Sequence, residues 1–360
     1  MTKIVYNDMI AFHPGYYILE IIEELELTQK EFGNRVGITP KTLSLLLSGN
    51  AKINVELSAK LAKSLGTSVN YWLNLQSQYD EKVHLINLEK EAEDEYECLK
   101  LINYSYFEKL GLVEKTRDKA RRIASLCKCL TISNLCYLKS DLVSVACKVA
   151  IPAMEPKNIV NLNAWIYVAR SFFTKQNVEK FSVSKLKNAL ADIRKLARDN
   201  QKESINKLGE ILNDCGVRFV VLPYLENSGI NGFLQWKSEA PSIAINDRGK
   251  SHDLFWFTVF HEIKHILQGQ NTKFVLDLDK SNFDDELEID ANEFARDILI
   301  PPKEYEQFIS QGKFDEGEII DFSKKISIHP GVVVGRLHYE KYIEYRQLKN
   351  LKVRCEGLIE

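Results

Sequence analysis

Asp253-Leu254-Phe255-Trp256-Phe257-Thr258-Val259-Phe260-His261-Glu262-Ile263-Lys264-His265-Ile266-Leu267 decides what kind of domain the C-terminal half forms. His261 and His265 are four positions apart. On a helix this spacing sets both imidazoles on one face, able to share one zinc ion, with Glu262 beside them as a general base. A surface helix with two unrelated histidines would explain the spacing equally well, but not the neighbours. Phe255, Trp256, Phe257, Val259 and Phe260 precede the motif, and Ile263, Ile266 and Leu267 run through it, which is too apolar for a surface helix. Charged and imidazole groups on a buried helix need partners, and a metal supplies one.

Two histidines leave a zinc ion short of protein ligands. The segment Glu286-Leu287-Glu288-Ile289-Asp290-Ala291-Asn292-Glu293-Phe294-Ala295-Arg296 is the donor expected downstream. Leu287, Ala291, Phe294, Ala295, Ile298 and Leu299 make its apolar stripe, and the small Ala291 and Ala295 let it approach the histidine helix closely. Glu288 flanks the stripe as the third ligand, with Asn292 one turn on to orient a ligand or hold a histidine N–H from behind. Asp290, Glu286 and Glu293 compete for the ligand role, because an acidic helix face is ordinarily just solvated.

Upstream, Val217-Arg218-Phe219-Val220-Val221-Leu222 is β-branched and aromatic, as a buried strand is. Residues 229–232 read as a turn, and Phe233-Leu234-Gln235-Trp236 and Ser242-Ile243-Ala244-Ile245 as two further short strands. A helix from near Asp253 carries the histidines, and another spans about residues 285–299 before Pro301-Pro302 stops it. Three strands followed by helices predict an α+β domain.

The N-terminal part has a different character. Thr28-Gln29-Lys30-Glu31-Phe32-Gly33-Asn34-Arg35-Val36-Gly37 has the signature of a capped helix, with Thr28 as N-cap, Glu31 three residues on and Gly37 as its stop. Thr39-Pro40-Lys41-Thr42 opens a second helix, which runs through Leu43, Leu46 and Leu47 to Ser48-Gly49-Asn50. Two short helices joined by a glycine turn predict a helix-turn-helix, whose second helix enters the major groove of DNA. A plain helical bundle fits the spacing too, but charge favours DNA. Residues 28–63 hold six cations against two acids, and the preceding helix, with Glu20, Glu23, Glu24 and Glu26, is acidic. Gln29, Thr39, Lys41, Thr42, Ser44 and Lys52 are the contacts expected, with Gln29 and Lys52 on phosphates and the others towards base edges.

Between the two lies a helical stretch. An acidic run (Glu89, Glu91, Glu93, Asp94, Glu95 and Glu97) predicts a solvated connecting helix, and helical periodicity continues from about residue 99 to 213, punctuated by Pro152 and Pro156. At 360 residues the chain is long enough for two or three domains, expected at residues 1–80, 81–213 and 214–360. The fold class expected is mainly α, with an N-terminal helix-turn-helix bundle, a helical middle and a small-sheet, zincin-like α+β C-terminal domain. A net charge of −2 neither favours nor excludes nucleic acid, since placement of charge decides. The seven cysteines, Cys98, Cys127, Cys129, Cys136, Cys147, Cys215 and Cys355, are odd in number and never at C-x-x-C spacing. They are expected as free thiols of a cytoplasmic protein, and no apolar run nears the ~20 residues of a membrane span.

Two resemblances extend these readings. His13-Pro14-Gly15, Leu27-Thr28-Gln29-Lys30-Glu31, Ser48-Gly49-Asn50 and Tyr71-Trp72-Leu73-Asn74-Leu75-Gln76 resemble the HigA group of Cro/C1-type antitoxins over about the first 80 residues. That implies a repressor that binds a double-stranded DNA operator as a homodimer, often beside a ribonuclease toxin. Pro241-Ser242-Ile243-Ala244-Ile245-Asn246, Phe257-Thr258 with His261-Glu262 and His265, Glu288 with Asp290-Ala291-Asn292 and Phe294-Ala295, and Ile300-Pro301 resemble the ImmA/IrrE metallopeptidases over about residues 215–345. This implies thermolysin-like zinc chemistry with two histidines and one glutamate as ligands, and a repressor protein as substrate. Lys264 replaces a glycine common in that family and is expected to point outward. His329 precedes Pro330-Gly331 where serine is common, and is expected in a loop rather than on a metal; His252 and His338 are likewise expected to hold no metal. Two functions of different class follow: a DNA-tethered zinc endopeptidase that cuts a repressor or itself, or a non-enzymatic antitoxin that represses its operon and neutralises a toxin.

Overall fold

The computed structural model describes residues 3–140, 155–237, 240–247, 249, 251–269, 274–278 and 286–355; Cys147 and Pro152 lie outside them. The chain forms two compact units, Met1–Glu97 and Cys98–Glu360. Among the described residues no helix is long and apolar enough to cross a membrane.

The first unit opens with a hairpin, β1 (Lys3–Tyr6) and β2 (Met9–Phe12), paired antiparallel with Lys3 opposite Phe12. No strand was expected here, because four residues are too few for alternation to declare itself. Helices α1 (Pro14–Glu24), α2 (Gln29–Val36), α3 (Pro40–Leu47), α4 (Val55–Leu65) and α5 (Val69–Leu101) follow. The capping box of α2 is formed: the Thr28 hydroxyl accepts from the Glu31 N–H at 3.2 Å, and the Glu31 carboxylate accepts from the Thr28 N–H at 2.9 Å. Gly37 then ends the helix at φ 72°. Ile18, Phe32, Leu43, Leu46, Leu61 and Trp72 fill the core. Gly15 permits the closest approach, since a Cβ there would lie 2.0 Å from the Leu46 carbonyl oxygen. The acidic run falls within α5, mostly exposed.

In the second unit, α6 (Tyr104–Lys109), α7 (Lys119–Leu130), α8 (Pro156–Phe173), α9 (Val183–Leu196) and α10 (Ser204–Asp214) precede a four-stranded sheet. Its strands are β3 (Arg218–Leu222), β4 (Ile230–Lys237), β5 (Ala240–Asn246) and β6 (Phe274–Leu278), in the order β3-β5-β4-β6. β3 runs parallel to β5, and β4 is antiparallel to both its neighbours. The turn expected at residues 229–232 is shorter than its composition suggests: β4 begins at Ile230, and Asn231 and Gly232 sit at an irregularity in its pairing with β6, a place where a glycine is at home. The fourth strand was not foreseen. Helix α11 (His252–Gln268) separates β5 from β6, and α12 (Glu286–Leu299), α13 (Pro302–Ser310), α14 (Glu316–Lys325) and α15 (Pro330–Tyr339) complete the unit.

Both faces of this sheet are covered. Leu234, Ile243 and Ile245 point into a core with Leu186, Leu212 and the helices from α11 onward. Their neighbours Phe233 and Ala244 point the other way, into a core with Trp165, Phe107 and Leu126. Alternate residues of one strand thus enter different cores, as period-two geometry requires. Helices of the middle stretch thus cover both faces of the sheet, α9 and α10 on one and α6–α8 on the other. The C-terminal carbonyls of α12 are held from two sides. Arg194 of α9 donates to the Ile298 and Leu299 oxygens at 2.8 and 3.0 Å, and Arg336 of α15 donates to the Arg296 and Ile300 oxygens at 3.4 and 3.3 Å.

Candidate metal centre and DNA-binding helix

Helix α11 is buried along most of its length: His261 and His265 are almost inaccessible and Glu262 wholly so. Helix α12 lies close against it, with Ala291 and Ala295 fully buried between the two. Three groups converge there. The Nε2 atoms of His261 and His265 are 3.0 Å apart, and the Glu288 carboxylate reaches His261 Nε2 at 3.4 Å and His265 Nε2 at 3.3 Å. A four-coordinate zinc with bonds of ~2.0–2.1 Å needs neighbouring donors ~3.3 Å apart. The donor set and its spacing therefore fit that ion. The competitors stand elsewhere: Glu286 is exposed, Asp290 meets Lys264, and Glu293 faces Arg296.

Electrostatics point the same way. Burial alone would favour a neutral Glu288, yet its hydrogen bonds and charge contacts with the two histidines outweigh this and hold its carboxyl down at about 2. Burial would likewise lower His265, but Glu288 and Glu262 push it up overall. The site favours positive charge where the three groups meet.

Each imidazole is oriented from behind by an amide oxygen. His261 Nδ1 lies 3.1 Å from Asn292 Oδ1, and His265 Nδ1 lies 2.9 Å from Gln268 Oε1. An amide oxygen only accepts, so each Nδ1 carries the proton and each Nε2 lone pair faces the other donors. Sequence reasoning singled out Asn292 but missed Gln268, one helical turn after the second histidine. Gln268 Nε2 in turn donates to the Leu287 oxygen at 2.8 Å and to Asp290 Oδ2 at 3.0 Å, tying α11 to α12. Lys264 does not point freely outward as expected. Its ammonium crosses to the same Asp290 oxygen at 2.9 Å, because α12 lies directly above it. Replacing Gln268 by Ala should lower zinc affinity about 10–100-fold while leaving the metal-free fold intact, as read by chelator competition and by circular dichroism.

Glu262 fits because Gly232 of β4 has no side chain: a Cβ there would stand 2.0 Å from Glu262 Oε1. A cleft of about 1110 Å³ opens beside the triad, with His261, Glu288, Asn292, Phe257 and Arg296 in its walls.

Four of the other histidines have structural partners. His329 caps α15, its Nδ1 accepting from the Gly331 N–H at 3.0 Å, and His13 caps α1 through the Gly15 N–H at the same distance. The His-Pro-Gly triplet thus serves twice as a helix start. His338 Nε2 donates to the Gln347 oxygen. His252 Nε2 accepts from Trp256 Nε1 at 3.1 Å; burial, then the neighbouring His329, lowers its pKa to about 3. The unfolded chain, with a histidine near 6.5, binds that proton first, so stability is lost as pH falls from about 6.5 towards 3, at most about 5 kcal/mol. His252→Gln should flatten this loss, seen as a smaller fall in Tm between pH 7 and pH 4 than in the wild type.

In the first unit, Lys41 and Ser44 of α3 are exposed, as is Gln29 at the start of α2. Thr39 caps α3, and its hydroxyl lies 2.9 Å from that of Thr42. Lys52 is exposed and pairs with Asp80 at 2.8 Å.

Comparison with known proteins finds one match within each of the two units. Residues 18–72 match the helix-turn-helix family, and residues 214–337 match the peptidase family described as the IrrE N-terminal-like domain. YddM of Escherichia coli, an uncharacterized HTH-type transcriptional regulator, is 39% identical over 66 residues, 18% of this chain and 70% of that protein. YbaQ of the same species, also an uncharacterized HTH-type transcriptional regulator, is 35% identical over 68 residues, 19% of this chain and 60% of that protein. Among solved structures, an addiction module antidote protein of a HigA family from Coxiella burnetii is 29% identical, covering 23% of this chain and 92% of that one, with a TM-score of 0.22. Through its first unit the chain belongs to the Cro/C1-type helix-turn-helix transcriptional regulators, and it carries an IrrE N-terminal-like peptidase domain in its second.

Proposed function

We propose that this DNA-binding regulator is also a zinc-dependent endopeptidase, cutting a repressor protein or its own chain. What supports this reading is the convergence of His261 Nε2, His265 Nε2 and the Glu288 carboxylate, with His261 and Glu288 in the wall of a cleft and the wholly buried Glu262 next to His261 in the chain. His261, His265 and Glu288 would hold the ion. A bound zinc supplies a Lewis acid, which polarises a carbonyl and brings a water's acidity near neutral pH. Asn292 and Gln268 keep both histidines in the one tautomer that leaves Nε2 free to bind. Glu262 takes the proton of the attacking water on its carboxylate and returns it to the leaving amine. Its burial keeps bulk water from competing for that proton.

The first unit brings the activity to DNA. In this reading the chain binds a double-stranded operator as a homodimer, with Thr39, Lys41, Thr42 and Ser44 towards the bases and Gln29 and Lys52 on phosphates. The test is a digest of unfolded protein and of fluorogenic peptides by the full chain. Cleavage that stops with a chelator and returns with zinc supports the proposal. No cleavage by the zinc-replete chain leaves the other function, a HigA-like antitoxin that represses its operon and neutralises a ribonuclease toxin.

A further inference from the structure

The match to the peptidase family stops at residue 337, but the cleft does not. Tyr339, Tyr345, Lys349 and Lys352 line it from the segment that follows α15. That segment is a built wall. The His252 N–H, at the start of the histidine helix, donates to the Val353 oxygen at 3.0 Å, and Asn200 Nδ2 donates to the Arg354 oxygen at 2.6 Å. Lys352 is paired with Asp253 at 2.7 Å, and Asn350 donates to Glu316 at 3.1 Å.

The surface this wall presents has a definite chemistry. Tyr339 and Tyr345 are 69% and 68% exposed, although both are large aromatic groups at a cavity. The Lys349 ammonium stands 4.5 Å from the centre of the Tyr345 ring rather than against a carboxylate. Arg296 on α12, also in the cleft wall, meets Glu293 at 3.8 Å. Among the described residues, the charged groups around the cleft are four cations (Arg296, Arg336, Lys349 and Lys352) and three acids (Asp247, Asp253 and Glu288). Asp253 is engaged by Lys352, and Glu288 is turned to the histidines. Arg336 is held by Glu340 at 2.9 Å and Asp247 is buried, so the charges left to an incoming chain are the cations Arg296 and Lys349, beside the exposed rings of Tyr339 and Tyr345.

We propose that residues 338–352 form a selectivity wall that receives an acidic, apolar-centred stretch of the substrate polypeptide, its carboxylates on Lys349 and Arg296 and its apolar side chains on Tyr339 and Tyr345. A wall of this kind excludes basic segments by like-charge repulsion and selects among extended chains that all present the same peptide bond. The inference names the substrate class of the proposed peptidase and rests on that reading.

The test measures binding apart from turnover. The full-length Glu262→Gln chain, loaded with zinc, is titrated by fluorescence anisotropy with two labelled ten-residue peptides that share a Leu-Phe centre and differ in Glu or Lys flanks. The Glu-flanked peptide should bind about tenfold more tightly at low salt, and the preference should vanish with Lys349→Glu and weaken with Tyr345→Ala. Both positions are exposed, and unchanged zinc content checks that the variants fold. Equal affinities, no binding of either peptide, or a preference untouched by Lys349→Glu overturns the wall. Wild-type chain that binds the Glu-flanked peptide selectively without cutting it defeats the peptidase reading and leaves the wall standing. Cleavage of both peptides at one rate does the reverse.

Discussion

Glu262→Gln should keep a full complement of zinc and lose peptide hydrolysis by a factor of about 10²–10⁴. Glutamine has the shape of glutamate and fits the space left by Gly232, so the packing of α11 on β4 is preserved. Neither ligand histidine is touched. What disappears is an anionic oxygen that can take a proton, since an amide oxygen is far too weak a base at neutral pH. The loss should fall on kcat and kcat/KM together, because the proton moves only in the transition state. Steady-state rates on a cleaved peptide, with zinc measured by mass spectrometry in the same preparation, check both halves. A variant as active as the wild type removes Glu262 from the chemistry.

Glu288→Ala should all but empty the site. The histidines alone leave two donors, and the affinity lost should exceed the roughly 10–100-fold typical of groups that only orient a ligand. One zinc per chain in the wild type and almost none in the variant is the expected metal content. The thermal stabilisation that zinc gives the wild type should vanish with it, because stabilisation by a ligand follows its affinity for the folded state. If the variant keeps its zinc, Asp290 is the next donor to test, two residues on along the same helix and held by Lys264 and Gln268.

Much of this centre was legible before any coordinates. The four-residue spacing of His261 and His265 puts both on one helix face, and the apolar residues around them favoured a buried helix over a surface one. Asn292 follows from Glu288 by the same helical step. Gln268 escaped notice because no pattern flags an amide after the second histidine, although its position one turn on is the signal that could have revealed it. The capped start of α2 and the proline start of α3 were equally plain, since each is written in adjacent residues. The packing of α6–α8 on Phe233 and Ala244 was not. Helical periodicity tells which face of a helix is buried, never which sheet buries it. The strands β1, β2 and β6 went unseen, each five residues or fewer and without flanking turn signals strong enough to mark them.

The two-sided burial of the sheet sets the limits of any excised fragment. A piece cut to the family match at residues 214–337 would begin after α6–α10. Phe233, Ala244, Leu222 and Ile230 would then meet water, α12 would lose the Arg194 anchor, and the cleft would lack the wall beyond residue 337. Such a fragment should aggregate on expression, whereas one beginning near Cys98 and running to the C-terminus should remain dispersed in light scattering.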